Sequence, residues 1–566
     1  MVLKFMNYYN LLNKYKKILL SLLFIAIAIV IVNSALLKDV VYQSDDYLLH
    51  ATRIGNYYLA LKEGQFPVRW GSNLNQAYGY PSFNYMYHTP YLTSSALHMI
   101  GLSVQQSLNI SVLLAVVFGS LSCYFFIKEY LKSEKWSVLL ALFYSLNPYS
   151  LLNIYWRGAI GEIFFYSLIP LFLLAVKKKN VFLIAITTSL LLLSHLPSML
   201  LLAILMVFYY IAELKSYRIC ELFKIFVSGL IGLLLSAWYV LPAYFEQWMI
   251  EYQLGSSLNQ YSSQFVSTLS LLDIRKDSFS SSSFINVLTI GGVALIGIFI
   301  GLFLLKYSKK TIIWVVSIIL SIFLISSQSS FIWSAIKPLQ YVQYPWRFIW
   351  IIIISVLFIF IYFNNQKKVS KKINNFVFIL ATLGIIFSVQ AFTNTKGSTS
   401  RTDFDWYHPV QSTGSSFNEH NPIGAHVPYN FPEPLMYVNA SQSANIIREK
   451  IETLVHPLNE LSPKINLING TKIIYSVNPD QDIIVLHKRL FYPGWEAHLD
   501  GKPVEFIKDI PQYDGVLAIK IPNKQSNIEI EFTGYTLLRR ISEIISLSAM
   551  ILVIGFYLLK KLSQNS

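Results

Sequence analysis

The chain has 566 residues, of which 54% are hydrophobic and only 13% charged, with a mean hydropathy of +0.48. A soluble domain carries about 25% charged residues, so this composition excludes an ordinary water-soluble globule and implies a protein dissolved mostly in lipid. The net charge of +15 does not point to nucleic acid once it is located: residues 393–540 hold 14 Lys and Arg against 16 Asp and Glu, a net of −2, which leaves +17 on the rest of the chain. Much of that excess lies in short loops, at 177–179, at Lys215 and Arg218, and at 306–310 and 367–372, as the positive-inside rule requires of loops facing the cytoplasm.

In chain order, Lys14, Lys16 and Lys17 precede an apolar stretch at 18–37. It is too long for a signal-peptide core and no A-x-A site follows, so it reads as a retained anchor helix entered from the cytoplasm. Residues 38–105 then lie outside. They include a short apolar piece, 91–102 with His98, which reads as interfacial or re-entrant. Further spans are expected at 106–127, 136–151, 162–176, 180–195, 198–213, 222–242, 286–306, 311–327, 346–363 and 374–392, and a last one at 541–559 before Lys560 and Lys561. Apolar runs of this kind cross a bilayer as helices because a helix satisfies its own backbone.

The expected fold is a polytopic α-helical membrane protein of about 12 spans with both termini in the cytoplasm and a C-terminal extracytoplasmic β-rich domain. The membrane domain covers 1–392, with outer loops at 38–105 and 244–285; the β domain covers 393–540; the final helix and tail cover 541–566. Within 393–540 the stretches TKIIYSV, DIIVLHKRL, VLAIKI and IEIEFTGY alternate like half-buried strands, separated by NPD, LDGKP and PNKQSN, and read as a small β-sandwich. Arg539 and Arg540 disagree with the charge rule, because they stand on the outer side of the last span. Cys123 and Cys220 fall in or beside spans, which argues against a disulfide framework, and the sequence has no CxxC, HExxH or glycine-rich phosphate loop.

Six unusual clusters interrupt the apolar pattern: SDDYLLHATRI (44–54), the segment 64–91 from GQFPVRW through AYGYP, NPYSLLNIYWRGAIGE (147–162), SHLPS (194–198), WYVLPAYFE (238–246) and QYPWRF (343–348). All fall at outer span ends in a threading that used only lysine and arginine loops. Aromatic belts and snorkelling arginines explain any one of them. Six on one side, with Asp46, His50, Glu162, His195 and three arginines among them, point to a site at the outer face. If 44–54 is helical, Asp46, His50 and Arg53 share a face. An acid there can remove a proton from a sugar hydroxyl. Arg69, Arg157 and Arg347 suit the phosphate of a lipid-linked donor, and Trp70, Tyr80, Tyr155 and Trp346 suit sugar rings or a polyprenyl chain.

The combination of D-x-x-x-H after the first span with GQFPVRW, AYGYP, RGAIGE, SHLPS and QYPWRF resembles the bacterial membrane proteins known as 6-pyruvoyl-tetrahydropterin-synthase-related, over about residues 40–350. That label is not read as pterin chemistry, which needs a histidine zinc site. YPGWEAHLDGKPVEF (492–506) is similar to the outer domain of YfhO membrane proteins. Both groups look like GT-C glycosyltransferases, many-spanning enzymes with an acid in the first outer loop and a polyprenyl-phosphate sugar donor. The resemblance implies Asp46, or its neighbour Asp45, as the catalytic acid residue with His50 beside it. It also implies Arg69, Arg157, Glu162, His195 and Arg347 as substrate-binding candidates, to which the reading of the residues adds Arg53, Trp70 and Tyr80. A divalent metal is possible, with Asp46 its ligand. Expected partners are the lipid bilayer, a polyprenyl-phosphate sugar and a glycan, lipid or protein acceptor, in the inner (plasma) membrane. The alternative is a non-enzymatic lipid-sugar transporter or envelope-assembly protein.

Overall fold

A computed structural model describes residues 2–250, 260–273, 284–306, 308–390, 398–408, 434–439, 455–507, 510 and 513–565. Eight helices among them are long and apolar enough to cross a membrane: Tyr15–Val32, Val104–Lys128, Glu134–Arg157, Ile160–Lys177, Ser198–Ser216, Pro345–Asn364, Lys371–Gln390 and Leu537–Leu559. Two bent pairs raise the number to ten if each is one span. Ile219–Leu235 turns by 73° into Ala237–Phe245, and Lys309–Ile325 by 87° into Ser327–Ala335. The expected count of about 12 is not confirmed among the described residues. The segments 180–195 and 286–306 fold as Val181–Ser194 and Gly291–Leu304, helices of 14 residues each. At 1.5 Å per residue these reach only about 21 Å, against a hydrocarbon core of about 30 Å. The apolar piece at 91–102 belongs to the helix His88–Met99, whose 12 residues are also too few to cross.

The loops that carry lysines gather at one end of the bundle. Lys310 Nζ meets the buried Glu213 carboxylate at 2.9 Å, and the Tyr362 hydroxyl donates to the same carboxylate at 3.0 Å. Lys178 pairs with Glu129 at 3.1 Å and Lys179 with Glu221 at 2.8 Å. Asn365 Nδ2 donates to the Tyr130 carbonyl at 3.2 Å. A single set of cross-loop bonds therefore ties five helix connections together.

At the far end, the segment 38–105 is built around the helix Tyr47–Lys62. Residues 398–407 belong with it rather than with the sheets that follow. Val41–Tyr42 pairs antiparallel with Ser398–Thr399, and Asn73 Nδ2 donates to the Tyr407 carbonyl at 3.0 Å. Gly55 admits this contact: a Cβ there would lie 3.0 Å from the Trp406 carbonyl oxygen. Parts of the expected outer regions, 251–259, 274–283, 391–397, 409–433, 440–454, 508–509 and 511–512, lie outside the described residues.

Among the described residues the β-rich region forms two antiparallel sheets. One has the order Val516–Ile521, Ile483–Leu490, Leu435–Asn439, His456–Pro457; the other Lys464–Ile468, Lys472–Val477, Ser526–Phe532, Trp495–Leu499, Lys502–Val504. The alternation read from the sequence is the alternation of burial. Ile528 pairs with Tyr475 and Ile530 with Ile473, all four buried on one face, because side chains in a strand point to opposite sides in turn. Tyr475 Oη lies 3.0 Å from His487 Nε2, and this bond joins one sheet to the other through the core.

Two outcomes are expected. The native Cys220, exposed and close to the lysine-rich end, stays unlabelled by a membrane-impermeant maleimide in intact cells, while a cysteine at exposed position 502 is labelled; the reverse result inverts the topology. Burial also lowers the pKa of His487 to about 4, whereas an unfolded histidine titrates near 6.5. As pH falls from about 6.5 towards 4, the unfolded chain gains a proton that the folded chain refuses, so stability drops by up to about 1.4 kcal/mol per pH unit. Unfolding of the β region, followed against pH, shows this slope in the parent and a shallower one in His487→Gln.

Candidate functional site

The site is organised by the segment RGAIGE. The span Glu134–Arg157 ends in a π turn, Asn153–Arg157, and Gly158 leaves it in the left-handed conformation at φ +69°. Carbonyls at such a helix end lack partners within the helix. Here the amides of Asp45 and Asp46 supply them: Asp45 N–H donates to Trp156 O at 2.9 Å and Asp46 N–H to Arg157 O at 2.8 Å. A side chain at Gly158 would come within 2.7 Å of Ser44 Oγ and the Tyr47 ring. The acid pair is thus laid directly over the RGAIGE turn.

Beneath that turn is a buried ionic core. Glu162, 2% exposed, accepts from Arg157 Nη1 at 2.9 Å and from Arg347 Nε at 2.6 Å. Tyr149 Oη and Asn153 Nδ2 donate to it at 2.9 and 3.0 Å. Arg157 Nη1 also donates to Asn153 Oδ1, and Arg347 Nη1 to the Val342 carbonyl and Gln343 Oε1. Aromatic faces enclose the cations: Arg157 stands 4.5 Å over Trp346 and Arg347 4.7 Å over Tyr344. With every oxygen of Glu162 engaged and two cations shared, the desolvation cost of burying three charges is offset.

The first acidic stretch differs between its two members. Asp45 is exposed and Asp46 half-buried. Asp46 is the N-cap of the helix Tyr47–Lys62, yet its carboxylate makes no capping bond; Ser44 Oγ takes the Tyr47 amide at 3.0 Å. Asp46 acts electrostatically on Arg157. One turn on, His50 is buried with Nδ1 3.0 Å from the Tyr91 hydroxyl. Burial, then the charges of Arg53 and Arg157, hold its pKa well below the usual histidine range, so it is neutral. Tyr87 joins two motifs: its ring centroid is 5.8 Å from both His50 and His195. Gly161 makes room for it, since a Cβ there would fall 2.8 Å from the Tyr87 ring. His195 Nδ1 lies 2.8 Å from Ser198 Oγ.

Asp46, His50, Arg53, Arg157, Glu162, His195 and Arg347 therefore form one neighbourhood. Arg69, Trp70 and Tyr80 have different partners. Arg69 donates to Glu543 and to Asn84 at 2.8 Å each and to the Trp238 carbonyl at 3.1 Å. Beside it, Glu246 accepts from Arg539 Nη2 at 2.7 Å, Asn84 Nδ2 at 2.7 Å and the Tyr492 hydroxyl at 3.2 Å. Trp70 packs against Tyr492, Trp495 and Phe532 of the β region. Tyr80 is buried, its backbone bridged to Gly71. GQFPVRW and YPGW are thus the two halves of a dock between the far-end segment and the sheets.

Tyr87, Tyr91, Tyr149 and Asn153 had no charge to mark them in the sequence. Arg539 had one, and it lies fully buried against Glu246.

A family model described as the 6-pyruvoyl-tetrahydropterin synthase related domain, a membrane protein, matches residues 83–395, more than half of the chain. The chain belongs to that family. Its match takes in RGAIGE, SHLPS, WYVLPAYFE and QYPWRF, and begins after SDDYLLHATRI. No curated protein matches. Among solved structures, two cryo-EM structures of the arabinofuranosyltransferase AftD from Mycobacteria, one of them a single-residue mutant, are similar, each at 13% identity and a TM-score of 0.41. The alignments cover 65% and 67% of this chain and 27% of AftD, so this family member spans about a quarter of that enzyme's length.

Glu162→Gln keeps the shape of the ionic core and removes its only anion. Two buried guanidinium groups then face each other, and the expected loss is about 3–5 kcal/mol. Thermal unfolding in detergent reads it as a large fall in midpoint, against a change of about 0.5 kcal/mol or less for Asp45→Asn at its exposed position.

Proposed function

We propose that this protein is a GT-C-like membrane glycosyltransferase. It moves a hexosyl or pentosyl group from a polyprenyl-phosphate donor to a glycan, lipid or protein acceptor on the outer face of the inner (plasma) membrane, with both termini in the cytoplasm. The observation that carries the reading is the seating of Asp46 on the turn whose underside is the Arg157–Glu162–Arg347 core, at the end of the bundle opposite the lysine loops.

Donor capacity supports the donor class, since Asp45, Asp46 and Glu162 balance Arg53, Arg157 and Arg347 in charge while the guanidinium N–H groups outnumber the bonds they make here. Glu162 takes one N–H from each of its arginines, and a guanidinium has five, so donors remain for phosphate oxygens. The aromatic faces of Trp346 and Tyr344 confine the pair without competing for those donors.

In the reaction Asp46 removes the proton of the acceptor hydroxyl. That oxygen bonds to the anomeric carbon, and the bond to the donor phosphate breaks with its electron pair leaving on the phosphate. The arginines stabilise the departing charge. Neutral His50 holds the acceptor or steers Asp46. Among the described residues no group of three or more His, Cys, Asp and Glu converges on a metal position. A divalent ion at Asp46 would draw its other ligands from phosphate and water.

Transfer from a labelled polyprenyl-phosphate sugar in proteoliposomes tests this. Asp46→Asn is expected to insert and fold yet lose about 10²–10⁴-fold in rate, and Asp45→Asn to stay within a few-fold of the parent. Arg347→Lys keeps the charge but loses the fork and should fall clearly. Parent-level transfer by Asp46→Asn would overturn the assignment.

A further inference from the structure

A second place in the molecule is shaped for a ligand, away from the Asp46 neighbourhood. A crevice of about 240 Å³ opens where three parts of the chain meet: the turn after the helix Tyr47–Lys62, the end of the strand Ser526–Phe532, and the start of the last helix. Its walls carry Glu63, Phe66, Arg69, Glu531, Tyr535 and Glu543. Drug-sized pockets occupy about 300–1,000 Å³, so this space suits one or two sugar rings.

The carboxylates are fixed from behind. Glu63 accepts the Gly470 amide at 3.1 Å and the Thr471 hydroxyl at 3.3 Å; Glu531 pairs with Lys472 at 2.9 Å, and Glu543 with Arg69 at 2.8 Å. A carboxylate has about four acceptor positions, and these bonds use only part of them. The Glu531 and Glu543 side chains remain 45% and 26% exposed. Two rings flank the acceptors. Phe66 is 73% exposed at the turn; Tyr535 is 46% exposed and backed by Arg540 at 4.2 Å. Fixed acceptors for paired hydroxyls beside exposed aromatic faces are the two features a saccharide uses, its hydroxyl rim and its C–H face. A conventional membrane-interface belt explains the rings but not three anchored carboxylates between them.

The crevice also has a sign. Three carboxylates face the Arg69 guanidinium, and with Lys472 paired to Glu531 from behind the net is −1, which disfavours phosphate, sulfate and uronate groups. We propose that this crevice binds one or two residues of a neutral or amine-bearing glycan. The binding does not depend on the transfer reading, because it is measured without turnover.

The test uses the full-length protein in nanodiscs and three probes: an N-acetylglucosamine trimer, a glucosamine trimer and a galacturonic acid trimer. Saturation-transfer NMR and tryptophan fluorescence follow binding. Saturable binding of the first or second trimer is expected, at least about tenfold tighter than the third. Phe66→Ala and Glu531→Gln, both at exposed positions, should each weaken it about tenfold, while Asp46→Asn leaves it unchanged. The proposal is overturned if neither of the first two trimers binds saturably, or if the galacturonic acid trimer binds as well. It is also overturned if Phe66→Ala lowers thermal stability in nanodiscs but leaves binding intact, which identifies an interfacial anchor. Parent-level transfer by Asp46→Asn with glycan binding retained would fault the Asp46 assignment alone.

Discussion

One carboxylate holds the far end of the bundle together. Glu162 sits in the first turn of its helix and collects donors from three other places: the π turn through Arg157 and Asn153, the short helix before it through Tyr149, and the segment QYPWRF through Arg347. A lone carboxylate in such surroundings is prohibitively costly. Two guanidinium groups alone would be worse, because like charges would meet in a medium that screens poorly. Only the set of three is tolerable, so its geometry fixes how far apart these elements stand. The carbonyls at the end of the same turn then receive the amides of Asp45 and Asp46. The acid that carries the proposed chemistry is therefore tied by its backbone to the end of the turn that holds the ionic core.

The sequence made the membrane class, the strand pattern and the polar clusters legible for a physical reason. Apolar length and alternation are local properties, and a reader needs no partner to see them. VLAIKI folds as the strand Val516–Ile521 because its alternation is its burial. The number of spans was less legible. The apolar run across 222–242 hides a break at Ser236, between Ile219–Leu235 and Ala237–Phe245. Gly291–Leu304 is apolar enough but too short. Hydropathy reports affinity for lipid and is blind to a bend.

Within the site, the charged members were visible and their grouping was not. Arg69, Arg157 and Arg347 look alike in sequence, each beside aromatic residues. Their different fates follow from which carboxylate folds against them, Glu162 for two and Glu543 for the third. The neutral donors Tyr149 and Asn153 were invisible because a tyrosine or asparagine in an apolar stretch usually does no more than satisfy a backbone group. Gly158 and Gly161 carry their reason only in three dimensions, as the space that Tyr47 and Tyr87 fill.

The second buried anion, Glu246, repeats the logic of the first at the boundary with the β region. It binds Arg539 from the last helix, Asn84 from the far-end segment and Tyr492 from the sheets. A rule about mobile surface charge does not apply to a guanidinium that is 0% exposed and neutralised by a carboxylate, as Arg539 is. Arg69 touches this cluster through Asn84 and also lines the crevice through Glu543. The helix that carries Asp46 at its start ends beside that crevice at Glu63. One helix of 16 residues, about 24 Å long at 1.5 Å per residue, thus separates the acid from the crevice. A chain of several sugars spans such a distance, so under the two proposals taken together an acceptor held at the crevice would present a further hydroxyl at Asp46.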